Sequence, residues 1–272
     1  MSRVVFVLVV GLITMAQSKA PDPVAQARQL YNDQKYDEAI RRAAEAQATP
    51  ALASQASLVI ARAHLERFRQ TADATDLEAA RTALKAVTAD GFAPRDRLDL
   101  MIALGESMYF DERYGTDDRF SAAAEQFEVA LAHAGDLETK SRDLLFEWWA
   151  TSLDRQAQQG AESTRAVLYR RIQEGAAREL VRDDGAASAS YWLASSSRGL
   201  NDLTRAIGAA SAGWVRAGSM GPRGVPLRAD LDRLMRQVIL PERAREMSAG
   251  GSPKPTFAIL EEQWQRLTDQ WK

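Results

Sequence analysis

The strongest constraint on this chain is that apolar residues recur at helical spacing, in blocks separated by helix breakers. Phe120, Ala123, Ala124, Phe127, Ala130 and Leu131 share one helical face. So do Leu145, Trp148, Trp149 and Leu153, and further on Leu227, Leu231, Leu234, Met235 and Val238. No stretch alternates apolar and polar residues long enough to suggest a sheet. Breaks fall at Pro50, Asp90-Gly91, Gly135, Gly160, Asp184-Gly185 and the run from Gly218 to Pro226, where helices are expected to end. The reading is all-α. At 272 residues and 46% hydrophobic content, the chain is long enough for one long domain or two small ones with a real core.

The helices also repeat. Ala27, Leu30 and Tyr31 precede the turn Asn32 to Tyr36, and Asp37-Glu38-Ala39-Ile40 follows with Ala43 and Ala46. A second unit has Ala61 in its first helix and Leu77, Ala80, Leu84 and Val87 in its second. A third has Leu104-Gly105, Met108 and Tyr109, then Ala123, Phe127, Ala130 and Leu131. This pattern resembles the tetratricopeptide repeat, a helix–turn–helix with small residues where two helices cross. Gln26-Ala27 stands where Leu-Gly is usual. The equivalent alanines Ala39, Ala80 and Ala123 recur at 41 and 43 residues, against about 34 in ordinary repeats of that family. The excess is expected in the turns Thr71 to Thr75 and Asp111 to Arg119. Two further hairpins are expected to open at Glu147-Trp148-Trp149-Ala150 and at Tyr191-Trp192-Leu193-Ala194. The resemblance covers about half the chain, and implies a right-handed superhelical solenoid of stacked hairpins with extended turns.

Both ends depart from the repeat. Arg3 precedes a twelve-residue apolar run, Val4 to Met15, with cleavage sites after Ser18 or Ala20. These features predict a secretory signal peptide over residues 1–20, and hence an exported, periplasmic or secreted, protein with no membrane span after cleavage. Twelve helical residues span about 18 Å, short of the ~30 Å hydrocarbon core, though an uncleaved anchor is the alternative. Residues 21–216 are assigned to the helical repeats and 217–272 to C-terminal helices. One of these is expected from Leu227 to Ile239, stopping near Pro241. In the last, Phe257, Leu260, Trp264, Leu267 and Trp271 form one apolar stripe, read either as a cap on the solenoid or as a docking helix for a partner.

Chemistry is sparse. The chain has no cysteine and two histidines, which excludes disulfides, thiolate metal sites and cysteine nucleophiles and leaves little for zinc. No cofactor or metal is expected. The 35 basic and 37 acidic residues are interleaved, without a patch suited to nucleic acid. Ala209-Ala210-Ser211-Ala212-Gly213 has the outline of a nucleophile elbow, but lies in an Ala-rich helical stretch with both His64 and His133 upstream. The pairs Asp117-Asp118, Asp183-Asp184 and Glu261-Glu262 read as solvated carboxylates, because adjacent helical residues point about 100° apart. The acidic turn from Asp111 to Asp118 lacks calcium-loop spacing.

The expectation is a non-catalytic scaffold that holds a protein or peptide partner of the cell envelope in a concave groove. Family resemblance makes inner-helix residues such as Tyr31, Tyr109 and Trp149 the first contacts. Trp148, Trp149, Trp192 and Trp214, with Tyr191, crowd the fourth and fifth hairpins; there Tyr191 and Trp192 are also candidate contacts. The alternative is a small-molecule binder, apolar or organic-acid, accessory to a solute transporter. Tyr191-Trp192-Leu193-Ala194 and the helix from Leu227 are similar to the periplasmic tetratricopeptide component associated with TRAP-type transporters. That reading calls for a closed aromatic cavity around Trp149 and Trp192.

Overall fold

The computed structural model describes residues 22–112, 116–135, 137 and 139–272. The address segment expected over residues 1–20 and the side chains of Asp117-Asp118 lie outside the described residues. The chain forms α1 (Pro23–Asn32), α2 (Tyr36–Gln47), α3 (Ala53–Thr71), α4 (Ala74–Lys85), α5 (Pro94–Tyr109), α6 (Thr116–Ala132), α7 (Thr139–Gln159), α8 (Glu162–Arg182), α9 (Ala187–Gly199) and α10 (Leu203–Ala217). A 3₁₀ turn over Gly218–Arg223 leads to α11 (Gly224–Leu234), a π turn (Met235–Ile239), α12 (Leu240–Met247) and α13 (Lys254–Gln270). There is no strand among the described residues.

Local chemistry sets the helix ends. Asp22 Oδ1 accepts the Val24 amide at 3.0 Å, with Pro23 in the first turn, and Asp202 accepts the Arg205 amide at 2.9 Å to open α10. A side-chain oxygen at the N-cap satisfies one of the helix's orphan donors. Several helices stop on non-glycine residues in the left-handed region: Gln34 (φ 61), Ala72 (φ 56) and Asn201 (φ 60). Ala72 donates its amide to Phe68 O, so α3 runs through Thr71 and only Ala72-Asp73 separates it from α4. The excess length of the second unit therefore sits in a 19-residue helix and not in the turn where it was expected.

Successive helices pack antiparallel, and the odd-numbered helices α1, α3, α5, α7, α9 and α11 also pack on one another in order. The even-numbered helices make no comparable row. The stack thus curves with the odd helices inside, giving an all-α solenoid. Small residues sit at the crossings. Ala39, Ala80 and Ala123 are each 0% exposed. A Cβ on Gly105 would stand 2.6 Å from the Phe127 ring, one on Gly175 2.5 Å from Trp149, and one on Gly199 2.6 Å from Tyr169. Each glycine is the seat for a neighbouring helix's aromatic ring, which is why a helix-weakening residue is kept there.

Three boundaries differ from expectation. Glu147–Ala150 lies in the middle of α7, and Tyr191–Ala194 in the middle of α9, so neither opens its helix. The C-terminal helix does not stop at Pro241. The π turn widens the preceding turn, with Leu240 donating to Met235 O, and Pro241 then sits in the first turn of α12. A proline is tolerated there because its missing amide and ring bulk meet a relaxed helical ladder. Ala209–Gly213 lies inside α10, so the elbow geometry of strand, strained turn and helix is absent at Ser211.

Candidate functional site

On the inner face of the C-terminal half, α7, α9 and α11 enclose an open groove of ≈ 520 Å³. Its floor is built by α7. Glu147, Thr151, Asp154 and Gln158 recur at steps of four, three and four, so they form one polar stripe beside the apolar face of Leu145, Trp149 and Leu153. Tyr191 and Trp192 line the wall from α9, and Arg223, Leu227 and Asp230 close the side next to α11.

The stripe is held by neighbours. Trp192 donates Nε1–H to Glu147 Oε2 at 2.9 Å. Tyr169 donates its hydroxyl to Asp154 Oδ1 at 3.0 Å, and Gln158 donates to Oδ2 at 2.6 Å. Just beyond the groove, Asp143 accepts the Ser188 amide at 3.0 Å and faces Arg223 at 3.4 Å. Burial holds Asp143, Glu147 and Asp154 all above the ordinary carboxylate range, and the hydrogen bonds pull the other way. Tyr191 is raised too, by burial and by the charges of Glu147, Asp230 and Asp154. Its ring stands edge-on to Trp192, with centroids 5.5 Å apart. The groove thus offers fixed acceptors, the arginines Arg155 and Arg223, and one half-buried ring. Among the described residues no group of His and carboxylates could hold a metal ion.

The predicted contact residues do not form one site. Tyr191 and Trp192 share the groove. Trp149 is 2% exposed and packs against Phe146 in the core. Its neighbour Trp148 is half-buried and stacks on Phe127 at 6.0 Å. Tyr109 belongs to that same aromatic block, with centroids 5.1 Å from Trp148 and 5.2 Å from Phe120. Tyr31 lies at the other end of the molecule, with the Arg62 guanidinium 4.6 Å above its ring. The C-terminal stripe faces its own chain. Trp264 is buried against Trp214 and donates to Asp232 at 2.8 Å, while Phe257, Leu260 and Leu267 pack half-buried on the same cluster. Only Trp271 is exposed, at 47%.

The acidic stripe of α7 was missed. Its signal was the spacing of Glu147, Thr151, Asp154 and Gln158, which also describes an ordinary solvated face. His64 is mostly buried and faces Asp76 at 2.7 Å. No family model, curated protein or solved structure matches this chain.

Proposed function

We propose that the protein is an exported tetratricopeptide-like scaffold that binds an extended segment of a protein partner along its inner groove and performs no catalysis. The carrying observation is the groove itself: open along one side, polar on its floor, and furnished with acceptors already fixed by protein partners. Fixed acceptors suit the backbone amides of an extended peptide, because little side-chain entropy is lost on binding. The half-buried Tyr191 gives such a segment an aromatic contact. Export rests on the N-terminal signal pattern of the sequence. The small-molecule reading draws less support, because Trp149 is enclosed in the core and the groove beside Trp192 is neither closed nor chiefly aromatic.

A photo-crosslinking residue placed at Thr151 in cells, compared with one at the exposed outer-helix position Val167, tests this. A discrete protein adduct at 151, absent at 167 and lost on Tyr191→Ala, is the expected result. The absence of any adduct at 151, or the same adducts at both positions, overturns it.

A further inference from the structure

A second cluster of polar groups, separate from the groove, lies on the inner face of the N-terminal half. Glu106 of α5 is 6% exposed. Among the described residues its carboxylate has neither a hydrogen bond nor an ion pair. Around it stand Glu66, Arg62 and Arg69 from α3, Asp99 from its own helix, and Tyr31 and Tyr36 from the first hairpin. The neighbours are paired with one another, with Arg62 Nε left as a buried donor that has no hydrogen bond. Arg62 Nη1 pairs with Asp99 Oδ1 at 2.8 Å, its guanidinium resting on the Tyr31 ring. Arg69 donates twice to Glu66 Oε2, at 2.9 and 2.6 Å. Arg95 Nε also faces Asp99 Oδ1, at 3.5 Å, so Glu106 is the carboxyl of the cluster left without an ion pair. Glu66 Oε1 and the hydroxyls of Tyr31 and Tyr36 also have no hydrogen-bond partner among the described residues. The two tyrosine rings are 5.7 Å apart and half-buried, and Arg69 is exposed, so the cluster reaches from solvent to Glu106.

A buried carboxyl without a partner is costly, and what is missing is a donor that carries positive charge. The free acceptors come from four helices, α1, α2, α3 and α5. A compact ammonium with three rotatable donors meets that geometry. Tyrosine faces add a cation–π contribution. We propose that this cluster on α1, α3 and α5 binds a protonated primary amine, with Glu106 and Glu66 as its acceptors and Tyr31 as its aromatic wall. The amine is either a small free molecule or the lysine side chain of a partner. The proposal stands independently of the peptide reading of the C-terminal groove.

Burial, together with the charge of Glu66, pushes the Glu106 carboxyl up to about 7, while Arg62 and Arg69 act against the shift. An ammonium binds the ionised form, so its apparent affinity falls as Glu106 takes up a proton. Calorimetric titration of the purified full chain with n-butylammonium at pH 8.5 and 5.5 tests this. A parallel arm uses acetyl-Gly-Lys-Gly-amide, and butyrate is the control of opposite charge. The expected result is saturable binding of at least one amine, about 30-fold weaker at pH 5.5. Glu106→Gln should weaken it more than tenfold at pH 8.5 and remove the pH dependence, with far-UV circular dichroism unchanged. Tyr31→Phe, which keeps the ring, should lose a smaller part. Binding of butylammonium alone identifies a free amine, and of the lysine peptide alone a partner's side chain. No saturable binding of either amine, equal binding in Glu106→Gln, or preference for butyrate overturns the proposal.

Discussion

The N-terminal and central parts of the solenoid share one architecture but bury different chemistry. From α3 to Asp111 the interior holds Glu66, Asp76, Arg81, Asp96, Asp99, Glu106 and Asp111 alongside alanines, aliphatics and a single buried ring among the described residues, Phe92. From α6 to α9 the core is aromatic, with Phe120, Phe127, Phe146, Trp149, Tyr169 and Trp192 buried and Trp148 stacked among them. The same hairpin stack can therefore be closed by rings seated on glycines or by matched charges over alanines. Aromatic packing is insensitive to pH and salt. The charged interior ties stability, and the chemistry of the inner face, to protonation.

The largest test of this contrast is Phe127→Ala, which empties the centre of the aromatic block. It is expected to cost about 3–5 kcal/mol, lowering the thermal midpoint by roughly 10 °C. A loss below ~1 kcal/mol would show that the block is not the main source of stability. Next comes Glu106→Gln, read by urea unfolding across pH. A folded-state value of about 7 lies above the ordinary 4.5, so the folded chain holds the extra proton. The contribution of this carboxyl to stability is then fully present below about 4.5 and is lost as pH rises through 7, by an amount of order 3 kcal/mol. The glutamine variant should be more stable than the parent at pH 8.5 and close to it at pH 4. A parent curve that is flat between these values would remove the distinction between the two regions.

Gly175→Ala probes the ring seats directly. Its Cβ would meet Trp149 at 2.5 Å, and unfolding should show a loss of about 1–3 kcal/mol. Gly208→Ala is the smallest effect and has the opposite sign. That glycine lies exposed inside α10 with nothing within 4 Å of a new Cβ, so the substitution should stabilise by about 0.5–1 kcal/mol. If both alanines stabilise, the glycines are not seats for rings.

Periodicity was enough to read the helices and the stacking, because each apolar stripe has one place to go in a solenoid. The turns were harder. Ala72 and Asn201 close their helices in the left-handed region without glycine, so α3 reads shorter than it is. Trp148 and Trp149 fall on one apolar stripe in the sequence, but which of them is enclosed depends on Gly175, a residue of the next helix, whose missing side chain makes the space. Tyr191 and Trp192 were found because aromatics stand out. Glu106 and Glu147 were not, since a carboxylate on a helix ordinarily faces water. Only the close approach of α1, α3 and α5 in one place, and of α7, α9 and α11 in the other, turns those faces inward.

The π turn before Pro241 also acts on the phase of everything after it. In a straight α-helix each residue advances the face by about 100°, so Leu240 and Ala244 would point well away from Leu231 and Met235. Leu240 is instead buried with them in one cluster, and Ala244 is buried too, because the wide turn absorbs one residue's rotation. The segment therefore counts its length to a single residue. Deleting Val238 would remove that extra residue and let the turn close to an ordinary helical one with α12 still on the core, whereas a second residue inserted there would turn α12 and the hinge to α13 off it. An insertion of one residue in the turn from α12 to α13 would be absorbed with little effect.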